Sequence, residues 1–298
     1  MKILLTGATG QVGWELQRTL ITLGEVISVG RSQMDLAQLN TIRRIIREIQ
    51  PDLIINPAAY TAVDQAESEP DLVMAINGIA PGAIAEEAKR LGAAMIHYST
   101  DYVFDGLNTT PYTEADKPNP QNIYGMTKLA GEQAIMAVGV PHLILRTSWI
   151  YGLRGKNFLL TMQKLAQERE EIRVVNNQIG APTWSRLIAE VTAQILSQAR
   201  QDVSGFLASK SGIYHLTANG QTSWYGFAKA IFDHNFQQSE RKLQRLIAIT
   251  SKDYPTAASR PAYSLLNSQK LSNTFDLVLP EWQRSLELVL TEQIFVTA

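Results

Sequence analysis

Along the first half of the chain, short apolar runs alternate with longer stretches that carry apolar residues at helical spacing. The run KILLT over residues 2–6 suits a strand buried on both faces of a parallel sheet. Glycines follow it, and then a helical pattern through Trp14, Leu16 and Leu20. Residues 25–29 read as a second strand. Leu39, Ile42, Ile45, Ile46 and Ile49 mark one face of a helix that Pro51 ends. A third strand is predicted over 52–56, a long helix over 69–90 closed by Gly92, and a fourth strand over 93–98. The polar, Pro- and Asn-rich stretch 103–121 reads as a loop. A helix then begins at Tyr124, and a strand over 142–146 follows. This β-α-β-α alternation predicts an α/β fold with a parallel sheet wound on both faces.

Beyond Trp149 the pattern is mixed. Helices are predicted near 158–168, 186–197 and 224–236, strands near 172–175 and 213–216, and a last amphipathic helix over 281–290. The expected division is a dinucleotide-binding domain over 1–150, completed by helical segments near 185–200 and 223–236. Residues 151–298 would form a smaller mixed α/β substrate-binding domain.

Gly7, Gly10 and Gly13 stand between the first strand and the first helix. In that context they make a dinucleotide fingerprint: backbone approaches a pyrophosphate closely, and the helix N-terminus supplies free N–H groups. A Rossmann-type sheet is therefore expected. After the second strand no acidic residue stands where NAD-binding folds usually hold the ribose. Arg31 and Ser32 stand there and suit a 2′-phosphate, which predicts NADPH over NADH. Arg31 as a plain surface arginine is the other reading, with Asp35, beside Leu36, taking a ribose hydroxyl. Small residues at 57–61, including Ala58 and Ala59 ahead of Tyr60, let a cofactor lie close to the rim.

Tyr124 and Lys128 are four residues apart, so a helix stacks them on one face. A free phenol has a pKa of ~10, and a nearby cation brings it toward the working range of a proton donor. Such a pair taken alone is more often a packed tyrosine and a solvated lysine. Thr100, delivered to the rim by the fourth strand, is a hydroxyl donor for a carbonyl or else a turn cap.

Composition narrows the field. With 27 basic and 28 acidic residues, net charge −1, no field exists to attract nucleic acid or an anionic membrane. There are no cysteines, which excludes disulfides, thiolate metal sites and cysteine nucleophiles. The first five residues are too few for a signal peptide, and no apolar run approaches the ~20 residues of a membrane span. A cytoplasmic enzyme is the expectation.

Taken together, Gly7-x-x-Gly10-x-x-Gly13, Ser99-Thr100-Asp101-Tyr102-Val103-Phe104-Asp105-Gly106 and Tyr124-x-x-x-Lys128 resemble the extended short-chain dehydrogenase/reductases. Further blocks resemble the branch that reduces a 4-keto sugar nucleotide: residues 10–13 (GQVG), 56–64 (NPAAYTAVD), 146–149 (RTSW), 254–256 (YPT), Arg260-Pro261 and 275–277 (FDL). The resemblance implies a sugar-nucleotide substrate reduced at its C4 ketone with NADPH. Thr100 and Tyr124 would contact the carbonyl, and Tyr124 would donate the proton. Lys128 would hold the nicotinamide ribose and lower the tyrosine pKa. Gly10, Gln11 and Val12 would meet pyrophosphate, and Ala58, Ala59 and Tyr60 would line the cleft. Trp149 would face the sugar, with Asp101, Tyr102, Asn157 and Arg260 as further substrate contacts and Asn77 ordering a water beside Lys128.

Some relatives bind Mg2+ at a dimer contact through acids that include a match to Glu15. Here the later stretch reads Ala181-Pro182-Thr183-Trp184-Ser185-Arg186, with arginine in place of an acid, which argues against a metal-linked dimer. Monomer and homodimer both stay open. The rivals are an epimerase or dehydratase of the same fold and a catalytically silent regulatory subunit. Asp101 is followed by Tyr102 rather than by the glutamate that dehydratases generally need.

Overall fold

The computed structural model describes residues 1–199, 202–234 and 241–297; position 200 and the expected helix end at 236 lie outside them. The first half alternates as its apolar runs demand: β1 (Lys2–Leu5), α1 (Gln11–Thr19), β2 (Glu25–Ser28), α2 (Leu39–Ile49) and β3 (Leu53–Asn56). Two short helices, α3 (Val63–Ala66) and α4 (Pro70–Val73), lead through a π-helical turn (Met74–Ile79) into α5 (Ala80–Leu91). Then come β4 (Ala94–Thr100), α6 (Ile123–Val138) and β5 (His142–Thr147).

The second half is built of smaller pieces. It runs β6 (Ile150–Tyr151), α7 (Phe158–Glu168), β7 (Glu171–Val175), β8 (Ile179–Gly180), β9 (Thr183–Trp184) and α8 (Ser185–Ser197). It continues with α9 (Val203–Ser209), β10 (Gly212–His215), β11 (Thr222–Ser223), α10 (Trp224–Asp233), β12 (Arg245–Ile249), α11 (Gln269–Phe275) and α12 (Trp282–Thr297).

Six strands form one parallel sheet in the order β10-β5-β4-β3-β1-β2. Alternate side chains of β1 face opposite layers, as the strand period requires. Ile3 and Leu5 join a core with Leu16 of α1 and Ile188 of α8, while Leu4 packs with Ile42 and Ile46 of α2 and Ile84 of α5. The chain leaves β1 to one side for β2 and returns on the other side for β3. A crevice therefore opens above the carboxyl ends of β1 and β3, the point where open α/β sheets bind ligands.

Of the two later segments expected to cover the sheet, α8 packs on α1, where Thr19 Oγ1 donates to Ala189 O at 3.2 Å. The other, α10, packs on α7, β7 and β12 instead. Its aromatic residues decide this: Trp224 and Phe227 both pack against Phe158 of α7. The helix expected over 69–90 is interrupted by the π-helical turn, which places buried Asn77 against the loop after β3. Among the described residues no helix is long and apolar enough to cross a membrane.

Candidate active site

At the turn from β1 to α1, Gly10 caps the helix with no side-chain hydrogen bond, so the first N–H groups of α1 are open to an anion. Gly10 N itself donates to Gly7 O at 2.9 Å, which closes the turn. A Cβ at Gly13 would lie 2.1 Å from Gly7 O, so helix and turn approach as closely as they do only with glycine there. A cavity of about 350 Å³ opens over this turn. It brings together Gly7, Gly10, Gln11, Val12, Gly13, Arg31, Asp35, Leu36, Ala58, Ala59 and Tyr60. Ser32 is exposed and is not among the lining residues. Pro57, at the head of the small-residue stretch 57–61, also lines it, as do Met34, Ile76 and Ile150, to which no motif pointed.

The cradle fits a dinucleotide: a glycine turn, an uncapped helix end and small residues on the opposite wall. Arg31, 77% exposed, is only loosely paired with Asp35 at 3.7 Å and is free to reach an added phosphate. Gly13→Ala is expected to cost on the order of 1–3 kcal/mol of stability through the forced backbone shift. Thermal unfolding checks it, and NADPH titration by fluorescence should show weakened binding.

The rim above β4 carries the candidate chemistry. Thr100 ends β4 and caps the 3-10 turn Asp101–Val103: its Oγ1 accepts from Tyr102 N at 3.2 Å and donates to Asp101 Oδ1 at 3.1 Å. Both expectations for Thr100, turn cap and rim hydroxyl, thus meet in one side chain. Burial pushes the Asp101 carboxyl up to about 6.

Helix α6 starts with Asn122, whose Oδ1 accepts from Gly125 N at 2.8 Å. Gly125 lets the helix press on the 3-10 turn, since a Cβ there would lie 2.2 Å from Tyr102 O. The half-buried Tyr124 ring meets Tyr102 edge to face, with centroids 5.6 Å apart.

The tyrosine–lysine pair differs from its expectation. Burial pushes the Tyr124 phenol up to about 12; the Thr100 hydroxyl opposes that rise and the Asp101 charge adds to it. The ammonium of Lys128 is not what sets this value. It turns inward, 1% exposed, donating to Tyr98 O at 2.6 Å and lying 3.1 Å from His97 Nε2. Burial brings Lys128 down to about 8, against the opposing pull of Glu132. Glu132 is itself held by Arg146 of β5 through two bonds of 2.9 and 2.6 Å.

The remaining predicted residues divide. Trp149 is half-buried, holds a left-handed backbone at φ +45°, and stacks on Trp224 at 3.6 Å. A non-glycine residue in that region is strained and tends to mark a functional site. Arg260 donates to Asp64 Oδ2 at 2.7 Å. It lines a second cavity of about 710 Å³ with Phe158, Trp224, Tyr254 and Arg173. Asn122 Nδ2 donates to Ser259 O at 2.7 Å, so the Arg260 loop is tied to the residue before the Tyr124 helix turn.

Asn157 caps α7 through its Oδ1, and its Nδ2 is shared by Gln11 Oε1, Gly152 O and Arg154 O. It fixes Gln11 on the glycine turn. Asn77 is likewise committed: Oδ1 accepts from Tyr60 N at 2.9 Å and Nδ2 donates to Tyr60 O at 3.0 Å, away from Lys128.

Arg186 stands among Glu190, at 2.9 Å, and Glu292, at 3.7 Å. Burial pushes the nearby Glu15 carboxyl up, and Arg186 opposes that rise. Among the described residues no group of three or more acidic, histidine or cysteine side chains is disposed to hold a metal.

The chain is similar to known proteins over nearly its whole length. The family model described as the RmlD substrate binding domain matches residues 1–294. A dTDP-4-dehydrorhamnose reductase of Burkholderia thailandensis is 47% identical over 97% of each chain. That of Escherichia coli K12 is 45% identical over the whole of both chains. Among solved structures, a Bacillus anthracis dTDP-4-dehydrorhamnose reductase in complex with NADP superposes with a TM-score of 0.88. It is 35% identical and covers 98% of this chain and 99% of its own. A Thermotoga maritima UDP-glucose 4-epimerase, 16% identical with a TM-score of 0.81, shares the fold.

Proposed function

Because the chain belongs to the RmlD family of dTDP-4-dehydrorhamnose reductases, we propose that it reduces dTDP-4-dehydro-L-rhamnose to dTDP-L-rhamnose with NADPH. The observation that carries this reading is one edge of the sheet: Thr100 ends β4 and Tyr124 stands in the first turn of α6, whose Lys128 is buried against β4, and β4 belongs to the same parallel sheet as the β1 that leads into the glycine turn. We keep with it the division into a cofactor unit near 1–150 and a mainly substrate-binding unit beyond.

Bound NADPH supplies the hydride for the substrate's C4 carbon. As that carbon is reduced, charge builds on the carbonyl oxygen, and the protein's task is to meet it. Tyr124, with its pKa pushed to about 12, keeps its proton at neutral pH and is ready to give it up to a nascent alkoxide. Thr100 offers a second hydroxyl to the same oxygen. Its proton is shared with Asp101 Oδ1, and a substrate oxygen would compete for it. Lys128, charged below about pH 8, places a buried cation under the site. Trp149 and Arg260 stand on the side where the sugar nucleotide would lie.

Arg31 in this reading recognises the 2′-phosphate. Arg31→Ala should weaken NADPH binding by about tenfold or more and leave NADH nearly unchanged, since a charge-assisted hydrogen bond contributes ~1.5–3 kcal/mol. Parallel titrations with the two cofactors check it. The function itself is tested by offering dTDP-4-dehydro-L-rhamnose beside other 4-keto sugar nucleotides and following NADPH absorbance. Oxidation with this substrate above the others supports the reading. Interconversion of UDP-sugars without NADPH oxidation would mean an epimerase, and NADPH binding with no turnover of any ketone a silent subunit.

A further inference from the structure

Behind Lys128 runs a line of three buried polar side chains, from the ends of β1 and β3 and from β4, that the reaction as described does not use. Thr6 Oγ1 at the end of β1 donates to Asn56 Oδ1 at 2.6 Å. Asn56 Nδ2, at the end of β3, lies 3.1 Å from His97 Nδ1 in β4. His97 Nε2 lies 3.1 Å from Lys128 Nζ in α6. These three and Lys128 are nearly inaccessible. Asn56 and His97 are opposite each other in the parallel register of β3 and β4, so the sheet itself sets their spacing.

Such a line has a direction. A neutral imidazole donates from one nitrogen and accepts at the other, and the two ends of a primary amide are isosteric and ordered by their hydrogen bonds. As drawn, Thr6 donates to Asn56, Asn56 donates to Nδ1, and Nε2–H points at a lysine nitrogen that must accept. A neutral amine accepts; an ammonium has three donors and no lone pair. With Lys128 charged, Nε2 must accept, Nδ1–H must donate to the amide oxygen of a turned Asn56, and the amide nitrogen must donate to the Thr6 hydroxyl. Both arrangements give Lys128 and His97 a partner of the right kind. The change between them takes a half-turn of the Asn56 amide, whose two ends are isosteric, and a rotation of the Thr6 hydroxyl hydrogen.

We propose that His97 is a positioning residue for Lys128. With Asn56 and Thr6 it forms a hydrogen-bond line whose direction reverses with the charge on the lysine, keeping the amine in one place in both states. The purpose assigned to it, a fixed cation beneath the donor Tyr124, rests on the reductase reading. Two features support it. Burial brings Lys128 down to about 8, so both of its charge states are reached near neutral pH. Burial and the lysine charge hold His97 well below its usual range, so it stays neutral and answers by tautomer rather than by charge.

The other charged groups around Lys128 leave His97 this role. On its own helix stand Tyr124 and Glu132, the latter paired with Arg146 of β5. Past the end of β4 come Asp101 and Tyr102. The π-helical turn 74–79 carries no titratable residue. Helix α5 meets α6 through Pro81 and Gly82, with its Glu87 turned to Arg47 and Arg90. From α3's end, Glu67 reaches only Ile123 N.

The test needs no substrate in its first arm. Side-chain 15N NMR of the histidines, with His97→Gln used to identify the signal, should show His97 neutral from roughly pH 6 to pH 10. It should pass from the Nδ1–H to the Nε2–H tautomer as Lys128 titrates. One tautomer throughout would overturn the proposal, even if the ketone reading failed in parallel. The second arm compares pH profiles. His97→Leu should lower kcat by about tenfold or more with KM little changed, the loss expected when a charged donor lacks its acceptor. It should also move the basic limb to lower pH, because a buried ammonium without an acceptor is easier to deprotonate. His97→Gln, whose amide donates or accepts, should recover most of both. A His97→Leu limb at the wild-type position, or a glutamine variant no better than leucine, would overturn the proposal.

Discussion

Tyr124→Phe is expected to slow reduction of the 4-keto sugar nucleotide by about 10²–10⁴-fold, the range for removal of a general acid. NADPH affinity should hold, since the phenol ring packs on Tyr102 at the rim of β4 rather than on the glycine turn. The size of the effect follows from the environment of the phenol. Burial raises it to about 12, so it is fully protonated at neutral pH and the rate should not track its titration there. The rate should instead fall as pH rises through about 8, where Lys128 gives up its charge. Steady-state rates across pH, with cofactor binding measured separately, check both statements. A variant turning over at near the wild-type rate would remove Tyr124 from the mechanism.

Glu132→Ala is expected to be the most destabilising single change near the site, at roughly 3–5 kcal/mol, because it leaves Arg146 buried without its counter-charge. The two side chains are 0% and 2% exposed and joined by a bidentate pair of 2.9 and 2.6 Å. Arg146 Nη1 already lacks a partner, so it has no second acceptor to turn to. Replacing both residues, Glu132→Leu with Arg146→Met, should recover much of the loss, since no charge is then buried. Urea midpoints of the single and double variants decide the matter. Glu132 also holds the Lys128 pKa up, so any folded Glu132→Gln protein should show its basic limb at lower pH.

What the sequence made legible is what chain neighbours decide. The run 2–6 led into β1, the glycines at 7, 10 and 13 into the turn beneath the first cavity, and the spacing of Tyr124 and Lys128 into one helix face. The helix expected near 158–168 forms as Phe158–Glu168, where its apolar spacing begins directly after the Asn157 cap. What stayed hidden depends on register between distant segments. Thr6, Asn56 and His97 are single polar residues at or near the ends of three apolar runs, and only the parallel pairing of β1, β3 and β4 lines them up. The same is true of Lys128. Its helix position was evident, but the strand beneath it supplies the carbonyl and the imidazole that hold the ammonium. Asn157 was read as a substrate contact, though a residue preceding an apolar helical run is also a natural cap. Strand β12 was not foreseen; its apolar residues are only half-buried, and its pairing with β7 lies far away in the chain.

The most direct measurement is the fate of the hydride. NADPH carrying deuterium at the transferable position of its nicotinamide is incubated with dTDP-4-dehydro-L-rhamnose, and the product sugar is analysed by NMR. The reductase account predicts one deuterium per molecule of dTDP-L-rhamnose, bound to C4, with the labelled product formed about 10²–10⁴-fold more slowly by Tyr124→Phe. Product formed without deuterium, or deuterium at any other carbon, would contradict it.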